Sequence, residues 1–306
     1  MALAMAVALT ALAACTTTAP SPPIRDEALQ AERLRMTQIA LDGWDAETRR
    51  VYGVSQRLLS TALAKGWCTP ARADRGVLVE SGADLPPGLA AEVRAAAPKA
   101  TGLRVVAVAA NAVAAAAAGI VAGDLVLAVN GEPVSPANWP VAAWHAAQDV
   151  ELRIADAQGE RTVRLASQPT CAVDVVMDAS HDLGAETAAN GTIHVAQGMV
   201  QALQDDDSLA LVIGHELGHR AHSDSALPRL LDASASQDQE RQADLFGLRL
   251  LVEAGYDTRR VADVWDRLAR LDPDRIGQNW LRDHPLRAER SLRLHEAIAA
   301  MQAVKP

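Results

Sequence analysis

The stretch Ala210 to His222 reads ALVIGHELGHRAH. His215 and His219 stand four apart, and on an α-helix residues i and i+4 lie one above the other on the same face. Two ring nitrogens then aim at one point, each about 2.0 to 2.1 Å from a zinc ion placed there. Glu216 is turned around the helix from His215 and suits a role beside the ion, accepting a proton from water. The apolar LALVIG ahead of the motif buries this helix and holds such a site still. Two imidazoles do not complete it, because a catalytic zinc site carries three protein ligands and keeps a fourth position open.

A second predicted helix, SQDQERQADLFGLRLLVEAGY from Ser236 to Tyr256, offers more donors. Glu240 and Asp244 are again i and i+4, so one face presents two carboxylates. By themselves they also read as a solvated acidic face, with Glu240 paired to Arg241 or Arg249. The order HExxH, then ExxxD, then Gly-Leu-x-x-Leu and Ala-Gly-Tyr resembles peptidase family M48. These are gluzincins that include the CAAX prenyl endopeptidases and periplasmic assembly proteases. The resemblance implies that Glu240 is the third ligand of one Zn2+ per chain. It also implies that Asp244 accepts the other ring N–H of a liganding histidine and fixes its tautomer.

DHPLRAER matches the family's HPxxxxR with His284 and Arg290. The resemblance implies that His284 lies near the metal, where it stabilises the oxyanion or caps the zinc in a resting state, and that Arg290 orients the site and helps steady the oxyanion as the scissile carbonyl is attacked. Read as a residue only, His284 caps a helix ahead of a proline in the first turn. GAETAANGTIHVAQGMV, Gly184 to Val200, resembles the family's strand pair beside the active site, with Gly184 where the family has asparagine. The edge from Thr192 to Val195 is expected to pair with an extended substrate backbone. His222 is read onto the exposed end of its helix, and His145, His181, His194 and His295 have no ligand-spaced neighbour.

The elements that hold these residues follow from periodicity and turn chemistry. Helices are expected over 207–222, 237–254, 258–271 and 286–301, and short strands in VDVVMD and TIHVAQ. Asp207-Ser208 is expected to cap the first of these helices, and Gly255 with Tyr256 to end the second. From Arg25 to Lys65 apolar residues recur at spacings of three and four, with Gly43 expected to separate two helices. Between Gly76 and Ala166 short strands alternate with turns, Asn130-Gly131 among them. There AAAAAGIVAGDLVLAVNGEPV resembles the PDZ domains of secreted bacterial proteases. That resemblance implies a groove in which a peptide end adds a strand beside Val77 to Val79, next to Arg75 to Leu78 and a helix around 141–147. A membrane span over 105–129 is set aside, because Asn111, Gly123-Asp124 and weakly hydrophobic alanines oppose it.

The 306 residues suffice for two modest domains, and a net charge of -9 with no Lys/Arg-rich block excludes a nucleic-acid surface. MALAMAVALTALAAC is an apolar run too short to span a bilayer permanently. It closes as a bacterial lipobox does, although it has no Lys or Arg at its start. That resemblance implies lipidation of Cys15, and Thr16 in place of aspartate favours a periplasm-facing outer-membrane anchor. TTTAPSPP then serves as a spacer. Cys68 and Cys171 remain as an even pair, either free thiols or a bridge whose loop of about 100 residues gives roughly 4 to 5 kcal/mol.

The expected fold class is α+β, a small β-rich PDZ-like domain followed by a mostly helical zincin of the gluzincin type with a short active-site sheet. The expected division is a signal at 1–14, a linker at 15–24, helices at 25–70, the PDZ-like domain at 71–168 and the peptidase at 169–306. The expected function is a membrane-tethered zinc endopeptidase of the bacterial envelope acting on polypeptides, misfolded envelope proteins among them. The rival is a catalytically silent PDZ lipoprotein that binds peptides as a chaperone-like module.

Overall fold

Gly43 does not divide the N-terminal helix. In the computed structural model, which describes residues 24–68, 70–223, 233–271 and 288–304, one helix, α1, runs Asp26–Ala64. A side chain at Gly43 would meet nothing within 4 Å, so the glycine costs only its propensity, about 1 kcal/mol. Leu41, Trp44 and Thr48 on either side of it are buried, and that packing carries the helix through.

The chain then builds a β-rich unit. Its elements are β1 (Ala71–Asp74), β2 (Val77–Glu80), α2 (Pro87–Ala96), β3 (Arg104–Val108), α3 (Val113–Ala117), β4 (Leu125–Val129), β5 (Glu132–Pro133), α4 (Val141–Trp144), β6 (Val150–Asp156), β7 (Gly159–Leu165) and β8 (Gln168–Cys171). Strands pair antiparallel in the order β2-β3-β4-β6-β7, with β5 hairpinned onto β4. Asn130 and Gly131 both take positive φ, which a two-residue turn with the sheet's own twist requires. Alternate residues of β6, Val150, Leu152 and Ile154, face one core with Val105, Val126 and Ala115. β1 and β8 pair Ala71 with Cys171 and Asp74 with Gln168, drawing the two ends of the unit together. Among the described residues no helix is long and apolar enough to cross a membrane.

The C-terminal part is a three-stranded sheet under helices. Its strands are β9 (Val175–Asp178), β10 (Ala185–Thr187) and β11 (Ile193–Ala196). The helices are α5 (Gln197–Ala202), α6 (Asp206–Ser223), α7 (Ala233–Glu253), α8 (Val264–Leu271) and α9 (Ala288–Val304). β11 lies in the middle, antiparallel to β10 and parallel to β9. The expected substrate edge at Thr192 to Val195 is thereby corrected: both sides of that strand are used, and β10 and β9 are the outer strands. The α6 cap is also corrected. Asp205 accepts from the Ser208 N–H (2.8 Å) and hydroxyl (2.9 Å), whereas Asp207 accepts from the Asp257 N–H at 2.7 Å. The helix expected over 258–271 begins as a 3-10 turn at Thr258–Arg260, capped by Asp257, and resumes only as α8. Gly255 ends α7 as its sequence predicts, with φ 76° and the Gly255 and Tyr256 N–H groups returning to Val252 and Leu251.

α1 ties the two parts together. Val54, Leu58, Leu59 and Ala62 enter the C-terminal core, Tyr52 enters the β-rich core, and Leu41 and Trp44 pack on Leu85 and Val93. Just beyond α1, Cys68 is bridged to Cys171 at the end of β8.

Candidate metal centre

α6 is buried through Leu209, Ala210, Leu211, Val212 and Ile213, and α7 crosses it at backbone contact. A Cβ at Gly247 would stand 2.7 Å from the His215 nitrogen, and one at Gly218 2.8 Å from the Ala243 Cα. Only glycines permit so close an approach, and it brings Glu240 of α7 over the two imidazoles of α6.

Nε2 of His215 and Nε2 of His219 are 3.0 Å apart. Glu240 Oε2 lies 3.5 Å from the first and Oε1 3.2 Å from the second. Three donors about 2.0 to 2.1 Å from a common tetrahedral centre are spaced by about 3.3 to 3.4 Å, and the observed spacings bracket that value. His215 Nδ1 is 2.8 Å from Asp244 Oδ1, a contact that fixes the proton on Nδ1 and turns the Nε2 lone pair toward Glu240 and His219. Lone pairs and a carboxylate converging in a buried space are the donor set of a divalent cation, so these residues fit a metal.

Around them stands a frame of charged groups. Arg290 of α9 donates from Nε and Nη2 to Asp244 (2.8 and 2.7 Å), and its Nη1 is 2.9 Å from Glu240 Oε2. Burial by itself would raise the Asp244 carboxyl, but hydrogen bonds from His215 and Arg290 and their charges hold it below its ordinary value. Burial would likewise lower the Arg290 guanidinium, and Asp244, Glu240 and Glu216 together keep it raised. Glu216, 1% exposed, accepts a hydrogen bond from the Thr187 hydroxyl at 3.0 Å.

His215, Glu216, His219, Glu240, Asp244 and Arg290 are thus within one site. The three nitrogens of Arg290 are engaged with Asp244 and Glu240, an arrangement in keeping with the orienting part expected of it. His284 and Cys15 lie outside the described residues. His194 stands across from Glu186 in the sheet, and His145 and His295 meet backbone oxygens, so none of these three joins the cluster. Arg75 is buried, and its Nη2 donates to the Ala146 and Gln148 carbonyls beyond α4. The sequence reading passed over two residues of the site. Thr187 touches Glu216, and Trp265 lies under the Arg290 guanidinium, 5.1 Å from ring centroid to Cζ. Thr187 lies within the strand pair expected beside the active site, the one signal that pointed to it, whereas Trp265 has no spacing relation to the motifs.

Two imidazoles and a carboxylate converging beside a further buried carboxylate define the site of a metal-dependent hydrolase. Residues 153–231 and 227–298 match the sequence model of Peptidase family M48, so over this C-terminal part the chain is similar to the metallopeptidases of that family. It is 30% identical to the mitochondrial metalloendopeptidase OMA1 of Arabidopsis thaliana, over 37% of this chain and 29% of that protein. It is 29% identical to the metalloproteases YcaL and LoiP of Escherichia coli (strain K12), over 39% of this chain and 59% and 60% of theirs. The chain thus spans less than two thirds of the length of each of these relatives.

Proposed function

We propose that the chain is a zinc metalloendopeptidase, with His215, His219 and Glu240 as the ligands and Glu216 as general base. One observation carries this reading: two imidazole nitrogens of α6, 3.0 Å apart, converge with the Glu240 carboxylate of α7, whose two oxygens lie 3.2 and 3.5 Å from them, next to a carboxylate that is not among them. Zinc in that position supplies Lewis acidity and a water of near-neutral pKa. The chain's own residues do the rest. Glu216 takes the proton of the attacking water and returns it to the leaving amine. Thr187 holds Glu216 in place, Asp244 fixes the His215 tautomer, and Arg290 fixes both carboxylates. His284 would stabilise the oxyanion, a role that rests on the HPxxxxR resemblance.

β10, the outer strand that carries Thr187, supports the choice of an extended polypeptide as substrate. A chain added along Ala185–Thr187 would pass its carbonyls by Glu216, because Thr187 itself touches that carboxylate. The β-rich unit, read as PDZ-like, would recruit a peptide end along β2, an outer strand of its sheet. Lipidation at Cys15, a periplasm-facing place in the envelope and misfolded envelope proteins as substrates complete the proposal, and these rest on resemblance. The rival, a silent binding lipoprotein, has less support, since a structural metal has no use for a buried carboxylate at Glu216.

The test separates base from ligand. Glu216→Gln should retain stoichiometric zinc and lose at least about a thousandfold in turnover of an unfolded polypeptide, whereas Glu240→Ala should lose the metal. Wild-type turnover in Glu216→Gln would overturn the proposal. The same variant also serves as a trap for whatever the active form cleaves.

A further inference from the structure

We infer that Trp265 is a positioning residue of the metal centre, the wall that fixes the plane of the Arg290 guanidinium and through it the orientation of Glu240 and His215. The inference rests on the metal reading above and deepens it. Every nitrogen on the edge of the guanidinium is already directed: Nε and Nη2 to Asp244, Nη1 to Glu240. Such in-plane bonds set where the group sits but resist tilting about the carboxylates only weakly. A π-face beneath it removes that freedom, and the Trp265 ring lies there, with Cζ 5.1 Å from its centroid. Arg290 is 8% exposed and Trp265 3%, so the attraction acts with little competition from water.

Two linkages run outward from this stack. Through Arg290 Nη1 it reaches Glu240 Oε2, one of the three converging donors. Through Asp244 it reaches His215 Nδ1, which sets the direction of a second donor. A ring on α8 thereby governs two ligands on different helices. Core filling alone is the competing explanation, because Trp265 also belongs to the C-terminal core.

The two separate by measuring zinc affinity of the purified full chain, in competition with a chromophoric chelator, alongside thermal unfolding. Trp265→Leu should bind zinc about tenfold more weakly. Trp265→Phe, which keeps a π-face, should stay within about threefold of wild type. Leu268→Ala removes packing from the same helix at a residue 0% exposed. It should lower Tm at least as much as Trp265→Leu while leaving zinc affinity unchanged. Should Trp265→Leu not fold, Trp265→Met keeps bulk without a ring and takes its place, with the same weakening expected. Unchanged affinity without the ring, or an equal loss in Leu268→Ala, overturns the inference. A wild-type chain that binds no zinc sinks the metal reading and this inference with it, a result distinct from the first two.

Discussion

Glu216 is held in a space where a carboxylate must find donors or pay for its desolvation. The Thr187 hydroxyl, 3.0 Å away, is one of them, and it stands on the strand that borders the site. Thr187→Val keeps the shape and removes the donor. We expect zinc content to stay at the wild-type level and kcat to fall about tenfold, the worth of one hydrogen bond to a charged group. Thr187→Ser should restore most of the rate, and a Val variant as fast as wild type would contradict the role. Of this site, the sequence made His215, Glu216 and His219 legible because a spacing of four on a helix is itself a geometric statement. Glu240 and Asp244 showed two carboxylates on one face, but which partner they faced came from family resemblance. Thr187 was legible only as part of the strand pair expected beside the active site, and Trp265 not at all, since a helix outside the motifs brings it in through tertiary packing alone.

The elements position the donors through one close crossing. α6 and α7 meet at Gly214, Gly218 and Gly247, and a Cβ at Gly247 would press on the backbone of α6 at 2.7 and 2.9 Å. Backbone does not yield as a side-chain end does, so Gly247→Ala must part the helices. The expected cost is about 1 to 3 kcal/mol in stability, with a matching loss of zinc affinity as Glu240 moves from the imidazoles. Gly43→Ala, in open space on α1, should do the opposite and add about 0.5 to 1 kcal/mol. Urea unfolding of both variants and a zinc titration of the first check the pair, and a Gly247→Ala protein as stable as wild type would refute close contact. The same glycines show where element reading stopped. A glycine in a helical pattern reads alike whether it breaks a helix, as expected at Gly43, or lets two helices touch, as at Gly247. The β10-β11-β9 order and the Asp205 cap were hidden for a related reason: alternation marks a strand without saying which neighbours it takes.

Among the described residues α1 is the one element that enters both cores, and its seam with the β-rich unit is charged. Asp45 of α1 pairs with Arg104 of β3 in a buried, two-bonded ion pair. Glu80 of β2 lies nearby, with Asp84 beyond it. Burial raises the Glu80 carboxyl, the charges of Asp84 and Asp45 add to this, and Arg104 offsets it only in part, leaving it pushed up to about 7. Among the described residues its Oε2 has no hydrogen-bond partner to stabilise the ionised form. In the unfolded chain the same carboxyl titrates near its ordinary 4.5. Between pH 4.5 and about 7 the unfolded chain therefore releases a proton that the folded chain retains. Stability attributable to Glu80 is complete below that window, declines through it and is lost above it. Glu80→Gln removes the ionisation. We expect the variant to lose less stability than wild type between about pH 5 and about pH 8, and to be the more stable of the two at the upper end by about 1 to 3 kcal/mol. Urea denaturation at the two pH values measures this, and parallel pH dependences for the two proteins would show that the seam does not titrate at Glu80.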